Sequence, residues 1–237
     1  MRIALQISGR LRFTEDSLNS MLGSIIETLQ PDVFCSFWHA ENVDTESTYE
    51  NIMHPKLMEL ETQSLVRPYL DSLFPSQVWP NMPSMSYKFN RVSHVRKMWE
   101  KANGFKYDCV IQARTDNIFF ERLDIDRCQM ALDQDQVLCC NQSWTPTIDG
   151  YTTQPRMVDN FYLGPRDHMD LANDTFWHIR RMAIDLANQR RHHEMNTSEI
   201  IEDYVWKEIG VPIGSLPGIG THGNFWYDID RRETKWK

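Results

Sequence analysis

Two short polar runs interrupt otherwise apolar stretches of the chain, and both carry residue types suited to holding phosphate. The first, Ser8-Gly9-Arg10-Leu11-Arg12, follows Ile3-Ala4-Leu5-Gln6-Ile7. A small-residue turn after a strand exposes backbone N–H groups near a helix start, where anions settle readily. Arg10 and Arg12, at alternate positions, add planar donor forks for phosphate or a face that stacks on a base. An ordinary glycine turn with two solvated arginines is the alternative. The second run, Arg114-Thr115-Asp116-Asn117, lies between Cys109-Val110-Ile111 and Ile118-Phe119-Phe120. Charges so close to strand-like hydrophobics are costly to bury unless paired or ligated. Asp116 suits a hard divalent cation bridging two phosphates, since Mg2+ and Mn2+ take oxygen ligands. A structural Arg114–Asp116 pair is the alternative here.

A third group supplies carboxylates that suit deprotonation of a hydroxyl. It comprises Asp159, with Asn160, before Phe161-Tyr162-Leu163-Gly164, and Glu199 and Glu202 at the opening of the last helix. Glutamates also favour the first helical turn for electrostatic reasons alone. Asn90 and Ser93, on the helix before the Asp116 strand, are candidates to line the same pocket. Trp38 and Trp144 offer flat faces for stacking, or core. His192-His193-Glu194 looks metal-like, but adjacent side chains diverge and a solvated face is expected. Three literal Asp-x-Asp strings occur, at Asp124–Asp126, Asp133–Asp135 and Asp228–Asp230, the first two in polar connections. His222 in the tail is a further candidate ligand if the tail folds back.

The elements that must position these residues are partly legible. Residues 2–7 read as a strand ending in a tight turn at Ser8-Gly9. Leu18, Met21, Leu22, Ile25, Ile26 and Leu29 recur at the spacing of one buried helix face, with Thr14 as N-cap, Glu15 and Asp16 in the first turn, and Pro31 beyond the end. Asp32 to Trp38 follows as a strand apolar enough to be buried on both faces. Strand, helix and strand within about 38 residues make a right-handed βαβ unit with parallel pairing. Prolines at 55, 68, 75, 80 and 83 break residues 40–86 into short helices and loops. Val92, Val95, Trp99 and Ala102 predict a helix ended by Gly104, its other face carrying Ser93, Lys97 and Glu100. Strands are expected at 107–113, 136–140 and 160–163, one long helix at about 165–188, and a last helix from Asn196-Thr197. No internal repeat or low-complexity tract is evident.

Composition bounds the partners. The chain has 237 residues, enough for one large domain, with 41% apolar and 11% aromatic residues to build its core. A net charge of −8 argues against an electrostatic grip on nucleic acid or an anionic membrane. No stretch approaches the roughly 20 apolar residues of a membrane span, and Met1 to Ile7 lacks the pattern of a secretory leader, so a cytoplasmic location is expected. Five cysteines without Cys-x-x-Cys spacing read as buried thiols rather than a zinc site. Nothing demands an oligomer.

Together these residues resemble a family. The opening strand ending in Ile-Ser-Gly-Arg-Leu-Arg, the Asp-Val-Phe…Trp strand and the Tyr-Asp-Cys-Val-Ile-Gln-Ala-Arg-Thr-Asp-Asn segment are similar to small viral and bacterial polysaccharide glycosyltransferases of the GT-A type. Asp159 to Gly164 and Ser198-Glu199 extend the resemblance, which spans roughly residues 1–213 and matches 40–86 poorly. It implies a GT-A-like α/β fold, with a mixed, mainly parallel central sheet flanked by helices. It further implies a nucleoside-diphosphate-sugar donor, a glycan acceptor and usually a divalent cation, Mn2+ or Mg2+. By position, Ser8, Gly9, Arg10 and Arg12 would hold the nucleotide, with Asn90, Ser93 and Arg114 lining its pocket. Asp116 would take the metal-binding place of the Asp-x-Asp motif, and Asp159 or Glu199 would be the base. Arg114 stands where that motif has its first Asp. Either Asp116 alone anchors a metal, or Arg114 neutralises diphosphate charge directly. The alternative is a non-catalytic sugar- or nucleotide-binding module with a degenerate fold of this type.

Overall fold

In the computed structural model, residues 1–40, 43–139, 147–148, 151–152, 161–196, 198–216 and 227–229 are described. β1 (Ile3–Arg10) leads into α1 (Glu15–Met21), a π-type segment (Leu22–Ile26) and α2 (Glu27–Leu29), and then β2 (Asp32–Trp38). Thr14 caps α1 as expected: its hydroxyl accepts from the Ser17 N–H at 3.1 Å, and the Ser17 hydroxyl accepts from the Thr14 N–H at 2.9 Å. Gln30, in the left-handed region, turns the chain toward β2. α3 (Val43–Met53), β3 (Leu57–Glu61) and α4 (Gln63–Ser72) occupy the proline-broken stretch, followed by the long α5 (Met82–Asn103), closed by left-handed Gly104. Next come β4 (Cys109–Ala113), β5 (Asn117–Phe119), α6 (Ile125–Gln134), β6 (Val137–Cys139) and the short β7 (Thr147–Ile148) and β8 (Tyr151–Thr152). β9 (Tyr162–Pro165), α7 (Arg166–Asn173), α8 (Phe176–Asn188), a 3-10 turn (His192–Asn196), α9 (Ser198–Ile209), β10 (Ile213–Ser215) and β11 (Tyr227–Ile229) complete the order.

The main sheet has the order β10-β6-β9-β4-β1-β2-β3. β9 alone runs against its neighbours. The result is a mixed, mainly parallel sheet flanked by helices. Period-two alternation sends Ile3, Leu5, Ile7, Cys35, Phe37, Cys109 and Ile111 to one face, where they pack with Leu18, Met21, Ile25, Tyr49 and Cys128. Ala4, Phe34, Trp38, Val110 and Tyr162 face the other way, against residues of α5, α7, α8 and α9. Each large aliphatic side chain so enclosed contributes roughly 1.5–3 kcal/mol.

Four details differ from the sequence pattern. β1 does not turn at Ser8-Gly9 but continues to Arg10, in register with Ser36, Phe37 and Trp38 of β2. Gly9 permits this with φ +112, a backbone angle that would strain any side-chain-bearing residue. β3 was hidden within the broken region, because a short edge strand rich in Glu lacks a β-propensity signal. α5 begins at Met82, and its supposed outer face is partly inward, with Ser93 and Glu100 buried. The single helix expected at 165–188 is two, separated at Asp174-Thr175.

Candidate functional site

The parallel strands deliver their carboxyl ends to one edge, where open α/β sheets bind ligands. At the end of β4, Arg114-Thr115-Asp116-Asn117 forms a turn: the Arg114 N–H donates to Asn117 Oδ1 at 2.7 Å, and the Thr115 hydroxyl donates to the Arg10 carbonyl at 3.2 Å. This second bond ties the β4 turn to the end of β1. It brings Arg12, 104 positions away, onto Asp116: Arg12 Nε and Nη2 donate to Oδ2 at 2.9 and 2.6 Å. Arg114 Nε donates to Oδ1 at 2.8 Å and its Nη2 to Oδ2 at 2.8 Å. Asp116 is buried, whereas the Arg12 side chain is 50% exposed and that of Arg114 24%. Burial alone would raise the Asp116 carboxyl pKa; hydrogen bonding and charge from Arg114, and then from Arg12, hold it below the ordinary value instead. Two guanidinium groups thus meet on one carboxylate, and Arg10 is exposed at the end of β1.

A divalent cation does not fit Asp116 in this arrangement. Both carboxylate oxygens already accept from guanidinium groups, and two positive charges stand where the ion would sit. Among the described residues no group of three or more His, Cys, Asp or Glu is placed to hold a metal. β11 pairs antiparallel with β5, setting Asp228 opposite Ile118 and Ile229 opposite Asn117; Asp230, the other acid of the third string, lies outside the described residues. The other two strings have local roles. Asp124 caps α6 by accepting from the Arg127 N–H at 3.0 Å, and Asp135 closes that helix and meets His168 Nε2 at 2.9 Å.

The remaining expected residues scatter. Ser8 is buried and its hydroxyl accepts from Gln112 Nε2 at 3.1 Å, inside a polar row that crosses the sheet. Gln112 faces Tyr162 across the strand pairing. The row continues through the Tyr162 hydroxyl, which donates to Asn173 Oδ1 at 2.6 Å, and Asn173 Nδ2, which donates to Gln6 Oε1 at 3.1 Å. Asn90 Nδ2 donates to Asp174 Oδ1 at 2.6 Å, and Ser93 is on a buried side of α5 with no hydrogen-bond partner for its hydroxyl among the described residues. Trp38 is core, stacked on Tyr87 with ring centroids 5.8 Å apart. Asp159, Asn160, Trp144, Cys140 and His222 lie outside the described residues, as does the side chain of Glu199. Cys35, Cys109 and Cys128 are buried free thiols, and Cys139 is buried. Glu194 is not part of a solvated face; it is buried against Arg191 and Tyr204.

The sequence reading missed a second cluster on the same edge, carried by the unrecognised β3. Glu59 and Glu61 emerge in register with Ser36 and Trp38. Fully buried Lys88 of α5 donates to Glu61 Oε2 at 2.7 Å and lies 4.2 Å from the centre of the Trp38 ring. Glu59 accepts from Arg91, and from the Ser36 hydroxyl at 2.9 Å. Burial opposes the charge on Glu59, but Arg91, Ser36 and Lys88 together hold its pKa down; burial pulls the Lys88 pKa down. The signal was present as the alternation of Glu59 and Glu61 in Leu-Met-Glu-Leu-Glu. Also missed was His39, immediately beyond β2, whose Nδ1 meets Glu46 Oε1 at 2.8 Å.

No known protein-family model matches the chain, and no curated protein matches it. Among solved structures, mouse xyloside xylosyltransferase 1 in its apo form matches with a TM-score of 0.51 at 9% identity, over 91% of this chain and 84% of that one. The likeness is one of fold: the mixed, mainly parallel sheet with helices on both faces has the GT-A-like architecture.

Proposed function

We propose that the chain transfers a sugar from a nucleoside-diphosphate-sugar donor to a glycan hydroxyl, with the diphosphate held by Arg10, Arg12 and Arg114. One observation carries this reading: a buried carboxylate fixes two partly exposed guanidinium groups at the carboxyl ends of β1 and β4. Fixed, partly exposed cations stabilise a departing diphosphate without reorganising during the reaction. In this reading Asp116 orients the arginines. The expected divalent cation has no fit there, and no step runs through it. The fold shared with a xylosyltransferase agrees with sugar transfer. Among the described residues no helix is long and apolar enough to cross a membrane.

A thermal-shift panel of nucleoside diphosphates and their sugars, with Mn2+ or with EDTA, tests the reading. A ligand at about 100 times its Kd adds about 2.7 kcal/mol, or roughly 5–10 °C for a chain this size. Arg114→Ala should weaken the same ligand roughly 10- to 100-fold, the worth of hydrogen bonds to a charged group. No shift at saturation across the panel would sink the proposal. Arg114, standing where the motif has its first Asp, keeps a second reading in play, a binding module without catalysis. Turnover of the bound donor separates the two.

A further inference from the structure

The geometry points to His39 as the general base that deprotonates the attacking hydroxyl, with Glu46 as its positioning residue; this rests on the transferase reading. His39 follows the last residue of β2, and its N–H donates to the Glu61 carbonyl at 2.9 Å, so its backbone is anchored to the sheet edge. Glu46, in the first turns of α3, accepts through one oxygen from the Ala40 N–H at 2.9 Å and meets His39 Nδ1 at 2.8 Å. A carboxylate only accepts, so Nδ1 carries the hydrogen and the lone pair of the neutral ring lies on Nε2. The His39 side chain is 46% exposed and that of Glu46 12% exposed. A half-exposed base held by a mostly buried carboxylate has the design of a catalytic dyad.

Position supports the role. Arg10 pairs in register with Trp38, so His39 stands beyond the strand adjacent to β1, on the same edge as Arg12, Arg114 and Asp116. From the end of β4 to the end of β2 is two strand spacings, about 10 Å. That span accommodates one sugar ring between a diphosphate on the arginines and a hydroxyl on His39. Among the described residues, the Asp116, Glu59 and Glu61 carboxylates on this edge are each taken up by arginine or lysine.

The step balances without a further reactant. The acceptor hydroxyl oxygen attacks the anomeric carbon, its proton passes to His39 Nε2, and the bond from the anomeric carbon to the phosphate oxygen breaks. The bonding pair leaves with the nucleoside diphosphate beside the arginines. Attack opposite the leaving group inverts the anomeric centre.

The test uses the full chain, the nucleotide-sugar chosen by the thermal-shift panel, and water as acceptor. His39→Ala should lower nucleoside diphosphate release about 10²- to 10⁴-fold, leave nucleoside diphosphate affinity within about twofold, and recover activity when imidazole is added. Glu46→Gln should lower kcat with little change in KM, and add little further loss in the His39→Ala background. A sugar product of inverted configuration completes the expected result. Wild-type turnover by His39→Ala, a retained anomeric configuration, or loss of turnover in Asp159→Asn alone would overturn the assignment. A wild-type chain that binds no nucleotide fails earlier, at the transferase reading. Binding without turnover makes the chain a binding module and removes the base with the reaction.

Discussion

Two arginine–carboxylate networks sit at opposite ends of β4, and they are built to different purposes. At its amino end, Arg96 and Arg166 meet Glu100, Asp167 and Asp170, with Lys97 3.6 Å from Asp170. Three cations face three carboxylates, Arg96 is fully buried, and Glu100 also accepts from the Tyr107 N–H at 3.1 Å. At its carboxyl end, Arg12 and Arg114 both meet Asp116, and both side chains are partly exposed. The first network is charge-balanced and joins α5 and α7 to the sheet. The second sets two partly exposed cations on one buried carboxylate at the edge where the strands end. Ion pairing by itself therefore does not mark a site; exposure at the ligand-binding edge is what sets this pair apart.

The comparison breaks most visibly if the two networks respond alike to mutation. Arg96→Met should cost the most stability, about 3–5 kcal/mol, because it leaves Glu100 buried with part of its compensation gone. That corresponds to a Tm drop of roughly 10 °C, read by calorimetry. The folded fraction should bind nucleoside diphosphate with unchanged affinity. A loss of affinity equal to that of Arg114→Ala would mean that the networks are coupled and the division is wrong.

A smaller effect follows from pH. Burial opposes the charge on both Asp116 and Glu100, yet their arginine partners hold both carboxyls below the ordinary range. A carboxyl whose pKa is depressed by folding adds stability above its unfolded pKa and loses it as pH falls through the folded value. The wild type should therefore lose stability from about pH 4 downward. Asp116→Asn and Glu100→Gln should each flatten that slope in urea unfolding measured at a series of pH values. An Asp116→Asn slope identical to wild type would show that the arginines do not hold the carboxylate charged.

Which parts were legible in sequence follows from how local their causes are. β1, β2 and β4 are buried on both faces, so their runs of Ile, Val, Phe and Cys announce them, and Thr14 signals the start of α1 by its own hydroxyl. β3 sits at the sheet edge and presents Glu59 and Glu61, so no hydrophobic run marks it. Of the Asp116 cluster, Arg114 lay two positions away and was weighed as a partner. Arg12 reaches Asp116 across 104 positions through a bond that exists only once β1 and β4 pair. Lys88 and His39 were missed for the same reason, since Trp38, Glu61 and Glu46 acquire them through tertiary contact. Ser93 looked outward in a helical pattern that assumed one packed face, whereas α5 is covered on more than one side.

The smallest expected effect is the sharpest control on where nucleotide binds. A surface groove lined by Lys97, Lys101, Lys106 and Arg166, with Glu100 and Phe105, lies beside the balanced network. By charge alone it competes with the Arg12–Arg114 pair for a diphosphate. Lys101 and Lys106 are exposed or nearly so, and the double change Lys101→Glu, Lys106→Glu should move stability by no more than about 0.5 kcal/mol per site. Reversing two charges there adds four units of negative charge at the wrong end of the sheet. If nucleotide binds at the carboxyl ends, titration calorimetry at physiological salt should find its Kd changed less than about threefold, because the Debye length of about 8 Å screens charges so distant. A loss of tenfold or more would place the ligand in this groove, and the exposed arginines at Asp116 would then have to be explained by something other than a diphosphate.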